Sequence, residues 1–408
     1  MKRWLTPKLL LLAILLLQAW PVMSQTFRLD GKRKQQRVAF DHVRNLVIVK
    51  MYVNDKGPYN FILDTGVGPM IVTDSAIASM VDQHKLRPIT IAGMGGNVVL
   101  NALACDHMKV RLGRAVASSI PAAILEDDAF GLSAYVGMKI SGLLGYDFFS
   151  SFVVDVNYSA RKLRFGSGKD TPQRRGEKID IELIGNKPHT VVELMVPGRG
   201  KIAARVVLDN GASHALSLES LDNLPFPVPD QSIAANLGVG LGGPISGRIA
   251  RMPEMRMGGF VFTGVLTSFP EYDRQAGLRF LETRHGNLGA DILSRFNMVI
   301  DYAGNAMYLR PNSTYRKPFE HDMSGMELFA DASGSRFFIG RIEPGSPAEE
   351  AELKPGDELI TVNFNRSKSL NLSALNMLLR SGDGTILYFS VNRGGELLVK
   401  RIKLKKRI

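Results

Sequence analysis

The sequence predicts a mainly β protein of two related lobes followed by a smaller C-terminal domain. Three observations lead there. A short pattern centred on Asp64 recurs 145 residues later around Asp209. The segments flanking both copies are apolar and β-branched, and they end at Gly, Asn or Asp turns. A strand, a helix start, a turn and a further strand then follow in the last segment, with a sequence unlike either lobe.

Residues 1–24 read as a targeting segment. Met1, Lys2, Arg3 and Lys8 make a positive start, and Leu9 to Leu17 form an apolar run too short to span a bilayer. Val22 and Ser24 place small residues at the spacing a signal peptidase reads, so cleavage is expected after Ser24 and the mature chain is expected in the periplasm or outside the cell. Removing Lys2, Arg3 and Lys8 lowers the formal charge from +12 to +9. Much of the excess sits at 400–407, where Ile402 and Leu404 alternate with charged residues, the pattern of a closing edge strand with one solvated face. No aromatic interleaving accompanies it, so neither nucleic acid nor a membrane surface is an expected partner. The single cysteine, Cys105, rules out an internal disulfide and reads as a small buried apolar residue.

The repeat defines the lobes. Ile62-Leu63-Asp64-Thr65-Gly66-Val67 returns as Val207-Leu208-Asp209-Asn210-Gly211-Ala212. Downstream, Gly142-Leu143-Leu144-Gly145-Tyr146-Asp147 returns as Gly286-Asn287-Leu288-Gly289-Ala290-Asp291, an offset of 144, and Ser150, Phe152 and Tyr158 match Ser294, Phe296 and Tyr302 in register. Two anchors at nearly one separation argue for duplication. Lobe 1 is placed at 25–166 and lobe 2 at 179–312, joined by the polar stretch from Gly166 to Pro172. Within each lobe an apolar strand (Leu46 to Val53 and Phe61 to Leu63; Arg205 to Leu208) runs into a sharp Gly turn and a second apolar strand. Helical signal is confined to 74–81 and 147–151.

An Asp-Thr-Gly that closes an apolar strand and recurs in both lobes resembles the retropepsin-like aspartic proteases, here fused in tandem as in a pepsin-type chain. The resemblance covers about 35–312. It implies a pair of β-barrel lobes with Asp64 and Asp209 as catalytic carboxylates, supported by Thr65, Gly66, Asn210 and Gly211, and with Leu143-Leu144-Gly145 and Asn287-Leu288-Gly289 packed beneath the loops. Two carboxylates about 3 Å apart at an effective dielectric of about 20 repel by roughly 5.5 kcal/mol, so one proton stays on the pair over a wide pH range. The charged oxygen then takes a proton from water while the protonated one polarises a peptide carbonyl, with no metal and no cofactor. The resemblance also implies covering hairpins at the Gly-rich segments: Gly93, Gly95 and Gly96 in lobe 1, and Gly240, Gly242 and Gly243 in lobe 2. Asn210 stands where the family has Thr or Ser, which leaves open an altered site or a dead one. Val67 and Ala212 offer no hydroxyl to the aspartates, so the working pH is expected to lie above that of a pepsin-like site.

The segment 322–408 resembles the PDZ domains of exported bacterial proteases, on Glu343-Pro344-Gly345-Ser346-Pro347-Ala348 and Leu353-Lys354-Pro355-Gly356-Asp357-Glu358-Leu359-Ile360. That implies a β-sandwich with two helices, the second from Leu372, and a carboxylate-binding loop at Gly325, Met326, Glu327 and Leu328 that takes the C-terminus of a peptide. The family's usual Gly is Glu352 here. No histidine, including His214, has metal-ligand spacing, and His214 reads as a strand-surface residue. Two functions stand against each other: an endopeptidase acting on exported proteins or peptides, and an inactive protein that binds peptides in the lobe cleft and the PDZ groove.

Overall fold

The computed structural model describes residues 27–408 except 33–34, 92–99, 126–127, 129–130, 223, 241–242, 272–283 and 332. The targeting segment and Gly93, Gly95, Gly96 and Gly242 lie outside the described residues. The described chain is mainly β, with short helices.

Each lobe is organised around one interleaved three-strand unit. In the first, Gly142–Leu144 runs parallel to Lys56–Leu63, with Leu143 opposite Ile62, and antiparallel to Met70–Val72. In the second, Gly286–Gly289 runs parallel to Gly200–Asp209, with Asn287 opposite Val207, and antiparallel to Leu216–Leu218. The last residues of Lys56–Leu63 and Gly200–Asp209 and the short strands paired with them are covered on both sides. Phe61, Leu63, Val72 and Leu144 in one copy, and Val206, Leu208, Leu216 and Leu288 in the other, are fully buried. Asn54 and Asp55 turn the leading hairpin of lobe 1 with φ of 47° and 64°, a left-handed pair these residues tolerate.

The lobes share a sheet. Val153–Asn157 pairs antiparallel with Phe296–Asp301, with Val154 opposite Ile300, so a six-stranded sheet takes strands from both halves of the chain. Above it one continuous apolar core includes Phe61, Phe148 and Phe165 together with Leu208, Phe296 and Leu309. Burying one such side chain is worth about 1.5–3 kcal/mol, so a core running through both lobes resists their separation.

The segment after Phe319 has its own core, built from Leu328, Phe337, Leu359, Phe389 and Ile402 among others. Its sheet runs Met326–Ala330, Phe337–Ile342, Glu358–Val362, Ile386–Arg393, Glu396–Lys403, with helices Pro347–Glu350 and Leu372–Leu378. Both helices start on a side-chain cap: Ser346 Oγ accepts from Glu349 N at 3.3 Å, and Asn371 Oδ1 accepts from Ala374 N at 2.9 Å. The last strand lies at the sheet edge with Ile402 and Leu404 buried, and Leu397 and Val399 exposed. Glu352 has a φ of +56°, the conformation that favours Gly at that turn.

Candidate active site

The strands Lys56–Leu63 and Gly200–Asp209 deliver Asp64 and Asp209 to one point between the lobes, where each carboxyl feels the charge of the other. Two glycines make that approach possible. A Cβ on Gly66 would lie 2.6 Å from Asp209 Cγ, and one on Gly211 would lie 2.1 Å from Asp64 Cγ. Each carboxyl therefore rests on the other lobe's glycine, at a distance no larger residue allows. Each also accepts from its own loop: Gly66 N donates to Asp64 Oδ1 at 2.7 Å, and Gly211 N to Asp209 Oδ1 at 3.0 Å.

A reciprocal brace locks the loops. Thr65 Oγ1 donates to Leu208 O at 2.6 Å and accepts from Asn210 N at 3.0 Å, while Thr65 N donates to Asn210 Oδ1 at 2.7 Å. Asn210 is fully buried, and its side-chain oxygen takes the acceptor role that a hydroxyl would fill. Its side chain lies against the buried Tyr158 hydroxyl.

The electrostatics differ between the two aspartates. Asp64 is 5% exposed, and burial, followed by the charge of Asp209, holds its carboxyl well above the usual range. Asp209 Oδ2 instead receives a hydrogen bond at 3.2 Å from Asn287 Nδ2. Asn287 Oδ1 accepts from Arg284 Nη1 at 2.6 Å, and Arg284 Nη2 pairs with Glu219 Oε2 at 3.2 Å. The chain Asp209–Asn287–Arg284–Glu219 fixes which end of the Asn287 amide faces the dyad. Lys187, mostly buried, lies within the field of Asp209 and Asp64. Burial and the two aspartates together raise the Tyr302 phenol well above its ordinary value.

Four of the site residues read from the sequence beside the aspartates are thus at the dyad: Thr65, Gly66, Asn210 and Gly211. Gly240 and Gly243 pair with each other at the end of the hairpin formed by Ser232–Gly240 and Gly243–Met257. In the C-terminal domain, the loop ahead of Met326–Ala330 already spends its amides. Ser324 N and Gly325 N donate to Asp322 Oδ1, and Met326 N donates to Ser324 Oγ. Glu327 pairs with Arg341, and Leu328 O accepts from Arg44 Nη2 of lobe 1 at 2.7 Å.

Asn287 and His214 correct the sequence reading. The sequence reading places Asn287 only in the segment packed beneath the loop, although a polar residue inside an otherwise apolar strand was the available signal. His214 is not a strand-surface residue: its Nε2 is buried, burial lowers its pKa, and Asp209 lies within electrostatic reach.

Residues 49–148 match the family model described as Aspartyl protease. No curated protein sequence matches the chain. Among solved structures, the aspartic proteinase from Irpex lacteus aligns at a TM-score of 0.42 and 11% identity, over 69% of this chain and 99% of its own.

Proposed function

We propose that the chain is an aspartic endopeptidase that cleaves exported proteins or peptides with water activated between Asp64 and Asp209. The single observation that carries this is the convergence of the two carboxyls, each seated on the opposite glycine and braced through Thr65 and Asn210. The family match over 49–148 supports it.

The asymmetry assigns the roles. Asp64, buried against a negative neighbour, holds the proton. Asp209, facing the Asn287 amide donor, carries the charge. A water bound by the pair loses a proton to Asp209 as its oxygen attacks the peptide carbonyl carbon, and Asp64 donates its proton to the carbonyl oxygen. The tetrahedral intermediate collapses when the leaving nitrogen takes the proton from Asp209, and the C–N bond breaks. The diol returns a proton to Asp64 as the carboxyl product forms. The intact brace favours this reading over an inactive scaffold, because a degenerate lobe has no need to keep Asn210 on Thr65.

In the same proposal, export follows from the leader-like start of the sequence. The C-terminal domain acts as a PDZ-type module that recruits a peptide along Met326–Ala330, the sheet's edge strand. Recruitment there requires Arg44 to leave Leu328 O. The test is cleavage of a peptide mixture by the mature chain and by Asp64→Asn and Asp209→Asn, read by mass spectrometry from pH 3 to 8. Cleavage by the parent and by neither variant is expected, and unchanged cleavage by either variant overturns the paired mechanism.

A further inference from the structure

A polar cavity of about 210 Å³ lies where both lobes meet the C-terminal domain. Its walls include Ser213 and His214, which directly follow the Asp209 loop, Asn236 and Gly238 from a lobe 2 hairpin, Arg44 from lobe 1, and Asn376 from the helix Leu372–Leu378. Tyr135 ties the walls together. It carries the Arg44 guanidinium 4.0 Å above its ring, and its hydroxyl is 2.6 Å from Ser213 Oγ.

The cavity's hydrogen-bonding capacity is lopsided. Arg44 Nε, His214 Nε2, Asn236 Nδ2 and Asn376 Nδ2 are all buried and have no partner among the described residues. Arg44 Nε, Asn236 Nδ2 and Asn376 Nδ2 are N–H donors, whereas the His214 ring, kept neutral by burial and bonded to the Asn287 backbone, presents a donor or an acceptor according to its tautomer. Each open donor costs about 1–3 kcal/mol unless a guest meets it. The carboxylates of the lining are mostly taken. Glu327 holds Arg341, Glu343 holds Arg407, Asp291 holds Arg295 at 3.7 Å, and Asp322 accepts from Ser324 and Gly325. Open donors call for an acceptor. A guest carboxylate would share this low-dielectric space with Glu320, which disfavours a second negative charge. Glu320, without a side-chain partner among the described residues, leaves an acceptor for an N–H. A neutral group that offers both a carbonyl oxygen and an N–H is an amide.

We propose that this cavity is a subsite for the carboxamide side chain of a glutamine or asparagine in a peptide bound at the dyad, with Asn376 of the C-terminal domain as one of its donors. The proposal rests on the peptidase reading only in placing the rest of the peptide along the dyad. Specificity is then set by a residue outside both lobes, and the C-terminal domain completes the substrate site.

The experiment uses peptide libraries with one position at a time fixed as Gln, Glu or Leu. Binding is measured first, as retention on the immobilised full-length Asp64→Asn chain, and cleavage by the parent enzyme second. One position is expected to favour Gln over both Leu and Glu by about tenfold. Asn376→Leu and Asn376→Asp, placed in the Asp64→Asn chain, should both reduce that ratio to about twofold or less, because the second keeps the size and loses the N–H. No Gln preference at any position, a preference for Glu, or an undiminished ratio in both Asn376 variants overturns the subsite. Selective retention of Gln peptides without cleavage by the parent keeps the subsite and removes the peptidase. Cleavage without Gln selectivity does the reverse.

Discussion

Lobe 1 and lobe 2 bring their aspartates in by the same backbone route and treat them differently once there. Leu143 lies opposite Ile62 in the first, and Asn287 lies opposite Val207 in the second, at equivalent points of the interleaved strands. The apolar side chain leaves Asp64 to burial, which raises its pKa; the amide gives Asp209 a donor. The same contrast appears in the brace, where Thr65 meets Asn210 rather than a second hydroxyl. Duplication supplies two carboxyls, and in the proposed mechanism divergence between the copies places the proton on Asp64.

Removing either carboxyl breaks the comparison most severely. Asp64→Asn and Asp209→Asn should each lower kcat/KM by at least about a thousandfold. The thermal midpoint should stay level or rise. The protonated Asp64 stabilises the fold at low pH, and that contribution is lost as pH climbs from the unfolded value of about 4 through the raised folded pKa. The gain from Asp64→Asn should therefore grow with pH across that window, as thermal melts at pH 4 and pH 8 would show. A midpoint lower than the parent's at pH 8 would contradict a raised Asp64.

The glycines come next. Gly66→Ala and Gly211→Ala force the opposing carboxyl to move by an ångström or more, which should cost about a hundredfold in kcat. Steady-state kinetics on both variants check this, and losses under threefold would show that the seats are not tight. Asn210→Leu strips the acceptor from Thr65 N and should cost about 1–3 kcal/mol of stability in urea titrations, whereas Asn210→Thr restores a hydroxyl and should stay within about 1 kcal/mol of the parent. Equal losses in both would mean the brace does not depend on that acceptor. Far from the site, Glu352→Gly relieves a left-handed backbone and should stabilise by about 0.5–1 kcal/mol without changing kcat/KM. A loss of stability would mean that the exposed pair with Lys400 outweighs the strain.

The repeat was legible because its anchors are short, contiguous and rich in glycine. The strand Leu46–Val53 and the run Phe61 to Leu63 were legible from local apolar pattern, and the helix from Leu372 from the resemblance of the last segment. What escaped the sequence depends on pairing over long separations. Val154 opposite Ile300 leaves no local trace, so the shared sheet was not foreseen. Asn210 departs from the expected Thr or Ser, and only the assembled loops show its side-chain oxygen accepting from Thr65 N. Asn287 was judged as a flaw in an apolar pattern, and only the fold shows its amide 3.2 Å from Asp209. The half-buried His214 and the cavity beside it need three parts of the chain to be assembled before they exist at all.

The placement of the proton is tested most directly by the pH dependence of kcat/KM in the parent and in Asn287→Leu, which gives lobe 2 the apolar neighbour of lobe 1. The acidic limb marks the second proton joining the pair. The Asn287 donor stabilises the ionised carboxyl, so its loss makes that second protonation easier. The acidic limb of Asn287→Leu should move upward by about one pH unit, with maximal kcat/KM reduced about tenfold. An acidic limb that stays in place, or that moves toward lower pH, would contradict an Asp209 charge held by Asn287.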